Sequence, residues 1–255
     1  MQYRIKMSLR ALILLASVVF LASCSSTPGP GKKPDYCPPY EGTNFARRSI
    51  YHEVAPGETL WRISKMYNVD VESIKRANNI RNVNDIDIGT KLYVPNASTR
   101  KHVISLYPSS KWKYIVIHHS ATDFGSSAAF NKAHLKKGWK GVGYHFIIDN
   151  GTCGKDDGQI ETTHRWINQM NGAHCKAGGR NYDGIGICLV GNFSDNPVSR
   201  KQMRSLVFLV NKLQDYYDIP DSRILGHGQV QGANTECPGK NFPWKRFRSA
   251  MNASD

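Results

Sequence analysis

Hydrophobic and polar positions between residues 51 and 95 predict a small unit of two strands and two helices. Residues 51–54 read as a strand. Thr59 is placed to cap a first helix with apolar residues on one face, and Asp70 precedes a second helix. Residues 89–95 end the unit with a short strand, so the predicted order is βααβ.

A longer pattern of alternating strands and helices covers residues 112–250 and predicts one α/β domain. Apolar runs of strand length stand at 114–119, 144–149 and 184–190. Ser199 is placed to cap a long helix after these strands. The apolar residues of that helix form one stripe, which we assign to the core: Met203, Leu206, Val210, Leu213 and Tyr217.

The first 24 residues differ from the rest of the chain. Three basic residues precede an apolar run at 11–20, and Leu-Ala-Ser-Cys follows. The run is too short for a membrane span and has the order of an export signal. Its ending resembles the bacterial lipobox, which implies cleavage before Cys24 and lipidation of its thiol; ordinary cleavage with a spare cysteine is the alternative. By the same resemblance, Ser25 implies a cell-envelope protein anchored in the outer membrane and facing the periplasm.

Composition divides the chain into five segments. We predict a signal peptide at 1–23, a Pro/Gly/Ser-rich tether at 24–49, the βααβ unit at 50–96, a linker at 97–110 and the α/β domain at 111–255. The tether has little apolar surface to bury and is expected to be extended.

The net charge of +14 narrows the choice of partners. Three positive charges lie in the signal, so 14 − 3 = +11 remain in the mature chain, and such an excess attracts polyanions. No basic run is interleaved with aromatic residues in the manner of a nucleic-acid stacking platform. We therefore expect anionic wall polymers or headgroups and no nucleic acid, and we expect a monomer.

The βααβ unit resembles the LysM module over its whole length. The matching segments are 54–63 (VAPGETLWRI), 77–78 (AN) and 88–95 (IGTKLYVP). The resemblance implies binding of N-acetylglucosamine-containing glycans in a shallow groove. The residues that would line this groove are Gly57, Glu58, Thr59 and Leu60 on one side, and Asn79 to Arg81 on the other. The alternative for each of them is a purely structural role in the turn and core.

Three strong metal ligands stand near the ends of predicted strands or in the loop beyond them. His118 ends the first strand of the α/β domain, His227 ends a late one, and Cys237 follows. Two histidines and a cysteine suit zinc, with a fourth position left for water. A lone histidine on a strand is more often structural, so these residues by themselves leave the site open.

Five ordered motifs resemble the zinc amidases related to phage lysozyme-amidases and peptidoglycan recognition proteins. They are 115–122 (IVIHHSAT), 143–146 (GYHF), 171–174 (NGAH), 185–191 (IGICLVG) and 237–239 (CPG). The resemblance implies a mixed central sheet flanked by helices. It also implies one zinc ion per chain, and it gives roles to these residues: His118, His227 and Cys237 as zinc ligands, Tyr144 and Thr235 as catalytic groups, and His174 as a substrate contact.

Strand parity separates the two neighbouring histidines independently of any resemblance. On a strand of period two, Ile115, Ile117 and His119 share one face, while Val116 and His118 share the other. The more apolar face is expected to turn to the core, which leaves His118 at the site.

Two positions depart from the family pattern. Thr235 stands where other members have lysine or threonine, and threonine supplies only a hydroxyl. Gln229 stands two residues after His227, where the family often has a carboxylate. We expect Thr235 to affect the reaction rate and Gln229 to affect the affinity for zinc, and neither to change the type of reaction.

The cysteines beyond Cys24 and Cys237 leave the disulfide pattern open. An exported compartment permits bridges, but the sequence does not determine their connectivity. Cys188 lies in an apolar run and is equally well read as a buried free thiol. The four cysteines concerned are Cys37, Cys153, Cys175 and Cys188.

The expected function is zinc-dependent hydrolysis of the amide bond between N-acetylmuramic acid and L-alanine, directed to the wall by the LysM module. The alternative is a non-catalytic, peptidoglycan-binding lipoprotein that kept the fold. Nucleic-acid binding has no motif behind it.

Overall fold

The computed structural model describes residues 47–54, 57–98, 102 and 104–252. The predicted signal peptide, the lipidation site Cys24, and Cys37 in the tether lie outside these residues. Within the described part of the chain, no helix is long and apolar enough to cross a membrane.

The first unit has the predicted βααβ order. Strand β1 (Arg48–Glu53) pairs antiparallel with β2 (Lys91–Ala97), and helices α1 (Leu60–Tyr67) and α2 (Val71–Ala77) lie between them in sequence. Thr59 caps α1, because its side chain accepts a hydrogen bond from the third residue on. A small apolar core closes the unit, formed by Val54, Leu60, Ile63, Met66, Tyr67, Ile74, Leu92, Val94 and Ala97.

A five-stranded mixed sheet forms the centre of the second unit, as predicted. The strands are β3 (Tyr114–His119), β4 (Phe146–Asn150), β5 (Asp157–Thr162), β6 (Gly184–Leu189) and β7 (Ile224–Gly226). Their order is β5-β4-β6-β3-β7, with β4 and β5 antiparallel and the other pairs parallel. The parallel pairs bury both faces of the sheet, which explains the continuous apolar runs in the sequence.

Helices flank the sheet. They are α3 (Ser127–Lys136), α4 (His164–Ile167), α5 (Arg180–Asp183), α6 (Arg200–Tyr217) and α7 (Trp244–Asn252). Ser199 and Gln202 form a reciprocal capping box at the start of α6. The predicted α6 stripe is confirmed, since its apolar residues join or pack against the main core.

Strand β4 begins later than predicted, as does β2, which was expected from residue 89 and starts at Lys91. The run at 144–149 contains β4, but that strand starts at Phe146. The Oγ1 of Thr163 donates a hydrogen bond to the backbone carbonyl of Tyr144 at 2.7 Å, so a side chain and not a neighbouring strand satisfies this carbonyl. Tyr144 therefore lies on an irregular segment just before the strand.

Residues 104–107 of the predicted linker lie against the second unit, whereas Ala97 ends β2 of the first. Ile104, Leu106 and Tyr107 pack on its main core. The indole nitrogen of Trp166 donates to the carbonyl of Ser105 at 2.7 Å. These contacts hold the chain in place where it enters the α/β domain.

The cysteines in the described residues divide into two classes. Cys153 is disulfide-bonded. Cys175, Cys188 and Cys237 are buried and not disulfide-bonded. Of the two predicted alternatives for Cys188, the buried thiol is therefore confirmed; this residue lies on β6, between two other strands.

Candidate metal centre

The structure brings together three side chains that are distant in the sequence. One ligand atom from each of His118, His227 and Cys237 lies within 4.8 Å of the other two, and all three residues are buried. His118 is near the end of β3, and His227 directly follows β7. Because β3 and β7 are parallel neighbours, their carboxyl ends meet at one edge of the sheet.

Cys237 reaches this edge on a loop that folds back on the turn after β7. The amide of Gly228 donates to the carbonyl of Cys237 at 2.8 Å. A Cβ at Gly228 would collide with the carbonyl of Thr235, so this close approach requires glycine. The Oγ1 of Thr235 in turn accepts a hydrogen bond from the amide of Cys237 at 3.2 Å.

A chain of hydrogen bonds orients the ring of His118. Its Nε2 lies 3.0 Å from Nδ1 of His174, whose Nε2 lies 3.2 Å from the carbonyl of Gly184. A carbonyl can only accept, so Nε2 of His174 donates and its Nδ1 accepts from His118. The lone pair of His118 is therefore on Nδ1, which lies 3.6 Å from Sγ of Cys237.

Two glycines make room for the His174 ring. A Cβ at Gly186 on β6, or at Gly172 in the preceding loop, would collide with that ring. His174 is buried, and it contacts a candidate metal ligand and the protein backbone. The structure thus places His174 behind His118, while its predicted role as a substrate contact stays a prediction.

The histidines of the cluster are held in their neutral form. Burial, together with the neighbouring His174 and His227, lowers the pKa of His118 well below its ordinary value. Burial also lowers the pKa of His227, and it lowers the pKa of His174 to about 3. Neutral imidazoles are the form that binds metal ions.

The three side chains fit a zinc ion. Nδ1 of His227 is buried and has no hydrogen-bond partner among the described residues, which leaves this atom available to bind a metal ion. A tetrahedral zinc with bonds of ~2.3 Å to a sulfur and ~2.0 Å to a nitrogen separates that sulfur and that nitrogen by about 3.5 Å. The distance of 3.6 Å between Sγ of Cys237 and Nδ1 of His118 is close to this value.

Tyr144 lies beside this cluster. Its side chain is buried, and its ring centroid is 5.2 Å from that of His118 and 6.4 Å from that of His174. The hydrogen bond from Thr163 fixes its backbone. Sequence reasoning missed this contribution of Thr163, because no pattern along the chain links it to Tyr144.

The neighbouring histidines have other partners. His119 does not join the three-residue cluster; its Nδ1 accepts from the amide of Phe193 at 3.1 Å, and its own amide lies 3.4 Å from Sγ of Cys237. His145 accepts from the amide of Gly186 at 2.9 Å through Nδ1. Oε1 of Gln229 accepts from the amide of Gly226 at 2.8 Å, so this side chain caps the turn after β7.

The residues predicted to line a glycan groove have different surroundings. Leu60 belongs to the small core, and Glu58 is buried with Oε2 2.7 Å from Nε2 of His52. Thr59 and Asn79 are exposed. Gly57 lies against the second unit, where a Cβ would approach the amide of His164 to 3.0 Å. Their role in glycan binding stays a prediction.

Comparisons with known proteins describe both units. Residues 108–240 match the family model described as N-acetylmuramoyl-L-alanine amidase, and residues 52–95 match the model described as LysM domain. The endolysin of Enterobacteria phage T3 is 32% identical over 155 residues, which are 56% of this chain and 90% of that protein. The endolysin of Escherichia phage T7 is 34% identical over 144 residues, which are 52% of this chain and 83% of that protein.

Among solved structures, the N-acetylmuramoyl-L-alanine amidase LysC from Clostridium intestinale URNW is similar to this chain. It is 30% identical, with a TM-score of 0.48, and the match covers 60% of this chain and 94% of that one.

Proposed function

The chain belongs to the N-acetylmuramoyl-L-alanine amidase family and carries a LysM domain, and from this we propose that it is a zinc-dependent peptidoglycan amidase. The bond cleaved is the amide between N-acetylmuramic acid and L-alanine. The observation that carries the proposal is the buried meeting of His118, His227 and Cys237 at one edge of the sheet.

The ligand set would be Nδ1 of His118, Nδ1 of His227 and Sγ of Cys237. A zinc ion held by three protein ligands supplies an acidified water and polarises a carbonyl. The chain itself keeps the ligands ready for it. His174 holds the His118 ring in the required tautomer, and the amide of His119 points at the Cys237 sulfur, where it favours the thiolate.

Two further side chains act on the substrate. The phenol of Tyr144 donates a hydrogen bond to the oxygen of the scissile carbonyl, where negative charge builds up as water adds. Thr235 uses its hydroxyl oxygen to accept from the Cys237 amide, which leaves its hydroxyl hydrogen to donate in the same region. The carbonyl carbon gains the hydroxyl of water, the carbon–nitrogen bond breaks, and L-alanine leaves with a protonated amine.

The remaining segments would bring this site to its substrate. The LysM domain raises the effective concentration of the amidase domain on an insoluble glycan. Lipidation at Cys24 would hold the mature chain at the outer membrane, facing the periplasm. This part of the proposal is supported by the order of basic, apolar and small residues in the first 24 positions.

A non-catalytic recognition protein of the same fold is the competing function. Such a protein has no need for three metal ligands and a buried tyrosine in one cluster. Here the ring of Tyr144 adjoins that of His118, which favours catalysis.

The test is digestion of purified peptidoglycan by the mature chain, with and without a chelator. The expected products are free peptides that begin at L-alanine. They should vanish with chelator and return when zinc is added back. The Cys237→Ser variant should lose both bound zinc and activity, and an unchanged wall with zinc-loaded wild-type protein would contradict the proposal.

A further inference from the structure

A second group of buried charges lies where the LysM unit contacts the amidase domain. We call it the module interface; it consists of Glu53 and Arg62 from the LysM unit and Lys155, Glu161 and Thr162 from the amidase domain. All five residues are buried. Charged side chains are almost never fully buried unless they are paired, so this concentration needs an explanation.

Arg62 crosses the interface from the LysM side. It lies on α1, is only 4% exposed and is not part of the small apolar core of its own unit. Its Nη2 donates a short hydrogen bond to Oγ1 of Thr162 at the end of β5. Burial lowers the pKa of Arg62, while the carboxylates of Glu58 and Glu161 act in the opposite direction. The amidase domain therefore shields part of the Arg62 side chain from solvent and supplies, through Glu161, part of the negative charge that offsets its guanidinium.

Lys155 crosses the interface from the amidase side. Its Nζ donates to the backbone carbonyl of Glu53 at 2.9 Å and lies 3.1 Å from Oε2 of Glu161. The other carboxylate oxygen of Glu161 accepts from the amide of Ser127 at 2.5 Å, at the start of α3. Each unit thus donates a hydrogen bond from a charged side chain to the other unit: Arg62 donates to the amidase domain, and Lys155 donates to the LysM unit.

The backbones also come close together. Gly57 has a φ of +84°, and a Cβ there would lie 3.0 Å from both the amide of His164 and Cγ1 of Ile167. Only glycine combines this conformation with so close an approach. The contacted segment includes Thr163, whose side chain holds the carbonyl of Tyr144. The LysM loop therefore rests on the residues that position Tyr144.

We propose that the LysM unit is docked on the amidase domain through the module interface, so that both move as one body. Docking holds the glycan-binding module at a fixed place beside the segment that carries Tyr144. The partner that this face of the LysM unit fits is the amidase domain of the same chain. Nε and Nη1 of Arg62 have no acceptor among the described residues, so the docking depends on the bond from Nη2 to Thr162, on the Lys155 contacts and on the close packing at Gly57.

The experiment compares two charge reversals on one helix. Arg62→Glu places a carboxylate beside Glu58 and Glu161, and it should separate the units. Lys65→Glu makes the same change of charge one turn later, on the exposed side of α1. The measurements are small-angle X-ray scattering and scanning calorimetry on the full mature chain, which do not depend on amidase activity.

Wild-type protein and Lys65→Glu should unfold in one transition and scatter as a compact particle. Arg62→Glu should unfold in two transitions, and its maximum dimension should grow by at least one helix diameter, about 10 Å. A wild type that already unfolds in two independent transitions overturns the proposal. So does an Arg62→Glu variant that cannot be distinguished from Lys65→Glu.

Arg62→Glu could also unfold the LysM unit itself, so a second variant changes the amidase side of the interface instead. Ile167→Asp changes a half-buried residue of α4 that faces Gly57, and leaves the LysM sequence intact. Asn168→Asp is its exposed control. Separation of the units in Ile167→Asp but not in Asn168→Asp supports docking, and compact scattering from both contradicts it.

Discussion

Nε2 of His118 donates a hydrogen bond to Nδ1 of His174 across 3.0 Å. This contact, with the bond from His174 to the carbonyl of Gly184, decides which nitrogen of His118 keeps its lone pair. His174 is not one of the three candidate metal ligands, but it thereby sets the orientation of one of them.

Replacing His174 by alanine should weaken zinc binding. The His118 ring loses its acceptor, so both its tautomer and its orientation become free, and losses of such outer partners lower metal affinity by about 10- to 100-fold. Competition with a chromogenic chelator measures the change. His174→Gln retains an acceptor and should recover part of the affinity; equal affinities for wild type and His174→Ala would show that the contact is incidental.

Gly186→Ala should have a similar effect without any change to a polar group. The new methyl group would collide with the His174 ring, which must move away from His118. We expect weaker zinc binding together with a lower unfolding temperature. Gly138→Ala is the control for zinc affinity alone, because nothing lies within 4 Å of a Cβ there, although its φ of +77° makes alanine costly for stability. Matching zinc affinities for the two variants would refute the packing argument.

Tyr144→Phe should separate catalysis from metal binding. The phenyl ring keeps the packing on His118 but removes the hydroxyl donor, and the loss of one oxyanion donor lowers kcat by about 10²- to 10³-fold. Zinc content, measured by mass spectrometry, should equal that of wild type. Tyr182→Phe, at a residue 67% exposed, should behave as wild type; full activity of Tyr144→Phe would remove the tyrosine from the mechanism.

The metal-free protein should lose stability as the pH falls from about 6.5 to about 4. Burial lowers the pKa of His119 and of His134 to about 4, and that of His174 to about 3. The unfolded chain, in which these residues titrate near 6.5, therefore binds protons first, and each histidine adds a slope of at most ~1.4 kcal/mol per pH unit.

Urea unfolding at several pH values measures this dependence. His134→Asn removes one titrating group but can still accept the hydrogen bond that Nδ1 of His134 receives from the amide of Gly143. Its stability should fall less steeply with decreasing pH than that of wild type. A flat profile for wild type would mean that these histidines have the same pKa values in the folded and unfolded states, which would contradict the prediction.

Local features of the structure follow from the sequence alone. Thr59 and Ser199 cap the helices that they were expected to cap, because a capping bond involves residues only three positions apart. Asp70, which was expected only to precede the second helix, caps it in the same way. The alternation along β3 places Ile115 and Ile117 in the main core for a similar reason, since successive side chains of a strand point to opposite faces.

The ordered motifs were enough to predict the family and the candidate metal ligands, but they did not predict which residues surround those ligands. Nothing near His174 in the sequence indicates that Gly186 leaves space for its ring, or that its acceptor is the carbonyl of Gly184. The surroundings of Gly57 could not be predicted either, because contacts between two units of the chain leave no periodic pattern in the sequence.

The sequence by itself determined the elements, the order of the two units and the residue types available for chemistry, since these depend on neighbours a few positions apart. Only the tertiary structure decided that His118 and Cys237 come within 3.6 Å of each other, and that Arg62 and Lys155 meet partners across the module interface. The first contact depends on how β3, β7 and the connecting loops pack, and the second on how the two units pack. In both cases the separation of two residues in the sequence does not indicate their distance in space.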